Sequence, residues 1–213
     1  MNSFETEWES PEFESVASLA ENMIYLLPGC DDAMVRLTLQ EAYRGFCRDS
    51  GVLRTWRKLE VDADGKHAGP VAPVLSGEID CVTEVLVDGV VPHKARGWKA
   101  VGDPPLIVLP VPAGVTEPDG ENIKLLVETV EIPHMREERA PKPFLRRYGD
   151  AIKAGALFRL YTMAGRPWSD AEQARQRGIE YSNAVSEARQ RGMEGGAAMN
   201  AGAQTALDFS SMV

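Results

Sequence analysis

Leu26–Cys47, LLPGCDDAMVRLTLQEAYRGFC, and Gly155–Gln173, GALFRLYTMAGRPWSDAEQ, decide how this chain is organised. Each stretch reads as the hinge of a helix pair. In the first, Leu27-Pro28-Gly29-Cys30 breaks one helix, and Asp31 or Asp32 accepts hydrogen bonds from the free N–H groups that open the next. In the second, Gly165 and Pro167 stop a helix. Ser169-Asp170-Ala171-Glu172 then forms a capping box, with Ser169 serving an N–H three residues on and Glu172 reaching back. About a hundred residues with strand-like patterning separate the two hinges.

Working outward from the first hinge, Val16, Leu19, Met23 and Leu26 recur at three- and four-residue steps, which predicts a helix over about 13–26. Val35, Leu39, Ala42, Tyr43 and Phe46 repeat the pattern over Asp32 to about Arg48, and Gly51 ends that helix. The period then changes to two. Ile79, Cys81, Thr83, Val85 and Val87 alternate with their neighbours as one face of a strand. Asp88-Gly89 before Val90-Val91 signals a hairpin, and Asp119-Gly120 before Ile123–Ile132 another turn. Leu53–Val61 and Leu106–Val111 add strand candidates.

Helix returns near Phe144, with Leu145, Tyr148, Ile152, Ala156, Leu160 and Tyr161 on its buried face and Gly149 and Gly155 open to close approach. The last helix spans about Asp170 to Arg191 and contains a repeat, Gln173-Ala-Arg-Gln-Arg-Gly178 recurring as Glu187-Ala-Arg-Gln-Arg-Gly192. The spacing is close to four helical turns, so Arg175 with Arg189 and Arg177 with Arg191 form two basic tiers. Beyond Gly192 the Gly/Ala-rich segment lacks apolar bulk, yet the chain closes on Leu207, Phe209, Met212 and Val213, an apolar end that reads as a docking element on a tether. The fold class is therefore α+β. Residues 1–50 and 143–192 form a four-helix bundle, 51–142 an inserted antiparallel β-sandwich or small barrel, and 193–213 an extended C-terminal tail.

With 213 residues and 44% hydrophobic content the chain holds one large or two small domains. A net charge of -9 disfavours nucleic-acid binding through bulk charge. The charge is uneven: residues 1–14 carry Glu5, Glu7, Glu9, Glu12 and Glu14 without a Lys or Arg, whereas Phe144–Gly192 is basic. Residues 1–12 read as a mobile acidic arm, able to meet the basic helical end within one molecule or between copies. Cys30, Cys47 and Cys81 show no C-x-x-C spacing, which argues against a disulfide scaffold or a zinc site and for a reducing cytoplasm. No signal peptide or membrane-length apolar run is legible.

The chemistry-bearing residues are sparse. His67, His93 and His134 are scattered and read as structural. Asp62-Ala63-Asp64-Gly65 lacks the later ligands of a calcium loop and reads as a hairpin turn. Neither a phosphate loop nor a dinucleotide fingerprint is present. Trp56, Trp98 and Trp168, at unrelated spacings, read as packing anchors rather than a ligand-stacking set. These readings predict no enzyme, no cofactor and no metal.

With Trp56 following, Leu27-Pro28-Gly29-Cys30-Asp31 running into a helix that ends in Phe46-Cys47-Arg48 resembles the opening of the head-to-tail adaptor (connector, or head completion) proteins of tailed bacteriophages, particularly short-tailed ones. Ala156-Leu157-Phe158-Arg159-Leu160 through Gly165-Arg166-Pro167-Trp168-Ser169, then an Arg-rich helix, resembles that family's closing helix pair. The resemblance implies a virion protein at the head–tail junction, assembled in the host cytoplasm, forming a ring of roughly twelve copies beneath the portal protein. Such a ring extends the channel for packaged DNA without reading its sequence, helps retain that DNA, and presents a surface to tail or nozzle proteins. It also implies a C-terminal segment extending onto the portal, which gives Leu207, Phe209, Met212 and Val213 a portal-binding role. Arg175, Arg177, Arg189 and Arg191 become inter-subunit or portal contacts. The acidic arm has no counterpart in that family's pattern. The competing readings are a β-sandwich ligand-binding module on a helical base, using exposed Trp56 or Trp98, and a DNA-binding packaging subunit using the Arg tiers.

Overall fold

A computed structural model describes residues 12–60, 77–87, 90–94, 100–101, 106–107 and 124–210. In chain order the elements are β1 (Phe13–Ser15), two 3-10 turns (Val16–Ala20 and Ile24–Leu26), α1 (Asp32–Ser50), β2 (Arg54–Glu60), β3 (Gly77–Val87), β4 (Val90–Lys94), β5 (Ala100–Val101), β6 (Leu106–Ile107), β7 (Lys124–Pro133), β8 (Arg139–Pro141), α2 (Lys142–Tyr161) and α3 (Ala171–Ser210). Helix and antiparallel sheet are mixed, an α+β protein. Two compact units divide the chain: Met1–Tyr43 with Glu138–Tyr181, and Arg44–Glu137 with Ser182–Val213.

The first unit is helical. Asp31 Oδ1 accepts from Ala33 N at 3.0 Å, so Asp31 is the residue that caps α1, and Gly29 turns the chain ahead of it at φ 83°. Val35, Leu39, Ala42 and Tyr43 form the buried stripe of α1 in this unit. Ile152, Ala156, Leu157, Leu160 and Tyr161 form that of α2. Phe144 closes the stripe with an edge-on contact to the Tyr43 ring, centroids 5.7 Å apart. β1 pairs antiparallel with β8, Glu14 opposite Ala140.

The segment expected to be a helix over about 13–26 is a strand followed by two 3-10 turns. Its backbone bonds run i to i−3: Met23 N to Ala20 O, Leu26 N to Met23 O and Leu27 N to Ile24 O. Serine chemistry supplies the reason. Ser15 Oγ accepts from Ala17 N and Ser18 Oγ donates to Ser15 O, so side chains compete for backbone groups an α-helix would use. The three-and-four spacing survives, but the buried residues are Val16, Ala20, Met23 and Leu27, and Leu26 is exposed.

The second unit is built on a four-stranded antiparallel sheet ordered β2-β7-β3-β4, with β5 and β6 as a separate pair. Val87 pairs with Val90, which is the expected hairpin, β2 falls on the Leu53–Val61 strand candidate, and β7 falls within Ile123–Ile132 and one residue beyond. β7 lies between β2 and β3, and Val127–Ile132 are buried without interruption. β3 breaks its alternation twice against β7, between Ile79 and Cys81 and between Val82 and Glu84, because each bulge inserts one unpaired residue. Gly77 is obligatory where β3 starts: a Cβ there would sit 2.3 Å from Ile132 O. Arg44 on α1 donates from Nε to Pro133 O at 3.0 Å and pairs with Glu78 at 3.2 Å.

α3 corrects two further expectations. Its cap is Asp170, whose Oδ1 accepts from Glu172 N and Gln173 N at 3.0 and 2.9 Å, while Ser169 Oγ turns to Tyr161 O and Glu172 pairs with Arg175. A carboxylate outcompetes a hydroxyl for the positive end of a helix. The helix also continues to Ser210 instead of giving way to an extended tail after Arg191. Low apolar bulk speaks to packing, not to local propensity, and Ala197, Ala198, Ala201, Ala203 and Ala206 are the strongest helix formers. The turn read at Asp119-Gly120, the Asp62–Gly65 loop, His67 and Trp98 lie outside the described residues.

Candidate functional site: the arginines of the last helix

The four arginines read as contact residues all hold polar partners inside the chain. In the first unit, Arg175 binds Glu172 through two nitrogens, at 2.8 and 3.3 Å, and that hydrogen bond pushes its guanidinium pKa up. Arg177 pairs with Glu180 at 2.8 Å. In the second, Arg191 pairs with Glu187, and Arg189 donates to the carbonyl of Asp49 in the last turn of α1. That carbonyl belongs to the set a helix C-terminus leaves without an internal partner, so Arg189 acts as a cap from another element. Arg175, Arg189 and Arg191 are exposed and Arg177 is half-buried.

The repeat carries a second signal, which the reading of its arginines passed over. Ala174 and Ala188, at equivalent places in the two copies, are both buried. Gly178 presents bare backbone to the Phe158 ring, where a Cβ would lie 3.1 Å from the nearest ring carbon. Gly192 faces the Arg54 guanidinium, where a Cβ would lie 3.5 Å from Nη2. Each copy supplies a small buried residue, four positions later a glycine, and two arginines; the fit is tight at Gly178, whereas at Gly192 an added Cβ would make ordinary contact. The repeat serves packing as much as charge. The four-residue spacing of its Ala and Gly was the sequence signal that would have found this. Gly155 admits a closer approach still: a Cβ there would come within 2.6 Å of the Tyr181 ring.

Both hinges lie in the first unit and close on themselves. Gly165 turns the second at φ 75°, and Arg166 lies over the buried Trp168 ring, 5.8 Å from its centroid, which makes Trp168 a packing anchor. Burial and Asp31 push the Cys30 thiol up, with Arg166 opposing them. Burial and Asp80 likewise push the Cys81 thiol up. Activated thiolates show the opposite direction. His134 accepts from Arg136 N at 3.2 Å and serves the turn before β8.

Buried polar chemistry appears instead in the sheet of the second unit. Glu128 on β7 accepts from Arg54 at 3.1 Å and from Thr83, the residue that the second bulge of β3 redirects. On the next residue, Thr129 and Thr55 share a hydrogen bond at 3.1 Å, and Thr55 donates to the almost fully buried Glu131 at 2.5 Å. These carboxylates are held by donors from neighbouring strands, an arrangement that fixes strand register. Among the described residues no group of three His, Cys, Asp or Glu is placed to hold a metal ion, and no helix is long and apolar enough to cross a membrane. Leu207 and Phe209 fall on α3, and Met212 and Val213 lie outside the described residues. Compared with models of known protein families and with curated proteins, the chain matches none.

Proposed function

We propose that this chain is a head-to-tail adaptor of a short-tailed bacteriophage, a virion protein that rings the DNA channel below the portal. One observation carries the reading. The motif residues that resemble the adaptor family form turns and packing: Gly29 and Gly165 turn the hinges, and Leu27, Phe46, Cys47, Leu160 and Trp168 are buried. Beside them Tyr25, Leu26, Leu37, Phe158 and Ile179 are left exposed. Large apolar side chains on the surface next to a structural motif suit a protein that completes its burial against other copies and a portal.

In this reading 1–50 and 143–192 act as a helical body, 51–142 as an inserted β domain facing tail or nozzle proteins, and 193–213 as the segment that reaches the portal. Leu207, Phe209, Met212 and Val213 supply the apolar contact, and repetition around a ring of roughly twelve copies multiplies a weak anchor by avidity. The exposed guanidiniums of Arg175, Arg189 and Arg191 face acidic surface of a neighbour. Mass measurement of the purified chain, alone and mixed with portal protein, tests it. The expected result is a ring of roughly twelve copies on the portal. A monomer under both conditions overturns the reading. Arg175→Glu with Arg189→Glu is expected to abolish the ring while the chain still folds, with α1 losing only the Arg189 cap on the Asp49 carbonyl.

A further inference from the structure

In the sheet of the second unit, β3 has neighbours of unequal reach. β7 pairs with it from Gly77 to Val87, whereas β4 pairs only with Glu84–Val87. Among the described residues no strand pairs with the other side of Gly77–Thr83. Antiparallel strands point their N–H and C=O groups alternately to one side and the other, so alternate residues of this stretch turn a donor and an acceptor away from β7. Both breaks in register against β7 fall in the same stretch. Glu84–Val87, which β4 covers, stay in step with Leu125–Glu128, while Gly77–Thr83 keep only Gly77–Ile79 and Cys81–Val82 as regular runs. The residue that the second bulge adds, Thr83, turns its hydroxyl to Glu128. The residue that the first adds, Asp80, is exposed.

We infer that Gly77–Thr83 is a guarded edge of the sheet, whose bulges and exposed Asp80 keep a second copy of this chain from adding a strand there. An unpaired edge is a template for another chain, because its main-chain groups are already aligned. A partner strand must offer its own donors and acceptors in strict alternation. Each bulge shifts that alternation by one residue, so a partner matched to Gly77–Ile79 is out of step at Cys81 and again beyond Val82. Charge adds to the mismatch. Full antiparallel overlap of Gly77–Thr83 with itself sets Asp80 opposite Asp80 of the other copy, and like charges directly opposite destabilise a strand pair. The first bulge thus has a use that packing does not give it: the second delivers Thr83 to a buried carboxylate, the first delivers a charge to the open edge. This inference is independent of the adaptor reading, because assembly through other surfaces leaves the edge as it is.

The test is amide hydrogen exchange in the full chain, resolved residue by residue and repeated over a range of protein concentrations. In the native chain the amides of Gly77–Thr83 that point away from β7 are expected to exchange many-fold faster than those bonded to it, at rates that do not change with concentration. Equal protection of the two sets overturns the inference, because the edge is then covered. The comparison is the full chain lacking Asp80, which joins Gly77–Ile79 to Cys81–Val82 in one register and removes the charge. There the outward amides are expected to slow several-fold as concentration rises. A folded deletion variant with the native rates at every concentration overturns the inference. If the deletion does not fold, Asp80→Thr, a change at an exposed position that keeps the chain length, decides: concentration-dependent slowing supports the guard, and its absence overturns it.

Discussion

Around Gly155 the helical unit sets a tyrosine ring against bare helix backbone, whereas around Glu128 the sheet unit surrounds a carboxylate with a guanidinium and a hydroxyl. The first interior leaves no room for an added atom. The second leaves no room for a missing partner. The difference follows from the elements: two helices approach closely only where one is stripped of side chains, while a central strand buried on both faces must satisfy every polar group it carries from its neighbours. Perturbations of opposite kind should therefore separate the two units.

The largest effect is expected from Arg54→Ala, which strands the Glu128 carboxylate in the sheet. Thermal or denaturant unfolding should show a loss of about 3–5 kcal/mol. Replacing both partners, Arg54→Met with Glu128→Leu, should recover most of it. A double variant as unstable as the single one would mean the charge itself, not its pairing, is required. Next is Gly155→Ala in the helical unit. The added methyl must displace the Tyr181 ring, costing about 1–3 kcal/mol, partly offset by about 0.5–1 kcal/mol of helix propensity. A stabilised variant would show that the contact has room to relax.

The caps sharpen the comparison within the helical unit. Asp170→Ala should cost about 1 kcal/mol, and Ser169→Ala no more than a few tenths. Equal effects would restore the capping box read from the sequence. The smallest effect concerns Glu12. Its carboxyl is held low in the folded chain, so its contribution is present above the ordinary carboxylate range and is lost as pH falls through the depressed value. Acid titration of the native chain against Glu12→Gln should show that difference at low salt and lose it at high salt.

Much of this was legible in the residues. α1 and α2 follow from apolar spacing, β3 from alternation, β2 from the strand candidate Leu53–Val61, and the hairpin from Asp88-Gly89. Where the sequence misled, a local competitor intervened. Ser15 and Ser18 diverted the first helix into 3-10 turns, Asp170 displaced Ser169, and alanine propensity carried α3 past its glycines. The bulges in β3 leave no mark on a binary pattern, so neither the re-aimed Thr83 nor the Glu128 cluster was foreseeable. The arginines were visible as a repeat, but Glu172 was read as part of a capping box, and it is Glu172, Glu180 and Glu187 that hold the guanidiniums.

The pairing of β1 with β8 sets an order of events during synthesis. Phe13 meets Pro141, and the helical unit draws on Met1–Tyr43 and Glu138–Tyr181 with the whole of Arg44–Glu137 between them. At about 5–20 residues per second, the ribosome needs on the order of ten seconds to deliver the second half after the first has emerged. For that interval the buried stripe of α1 has no completed partner, and closing so long a loop is entropically slow. The strand β1 and the stripe of α1 are thus made well before the elements that secure them, and wait for β8 and α2.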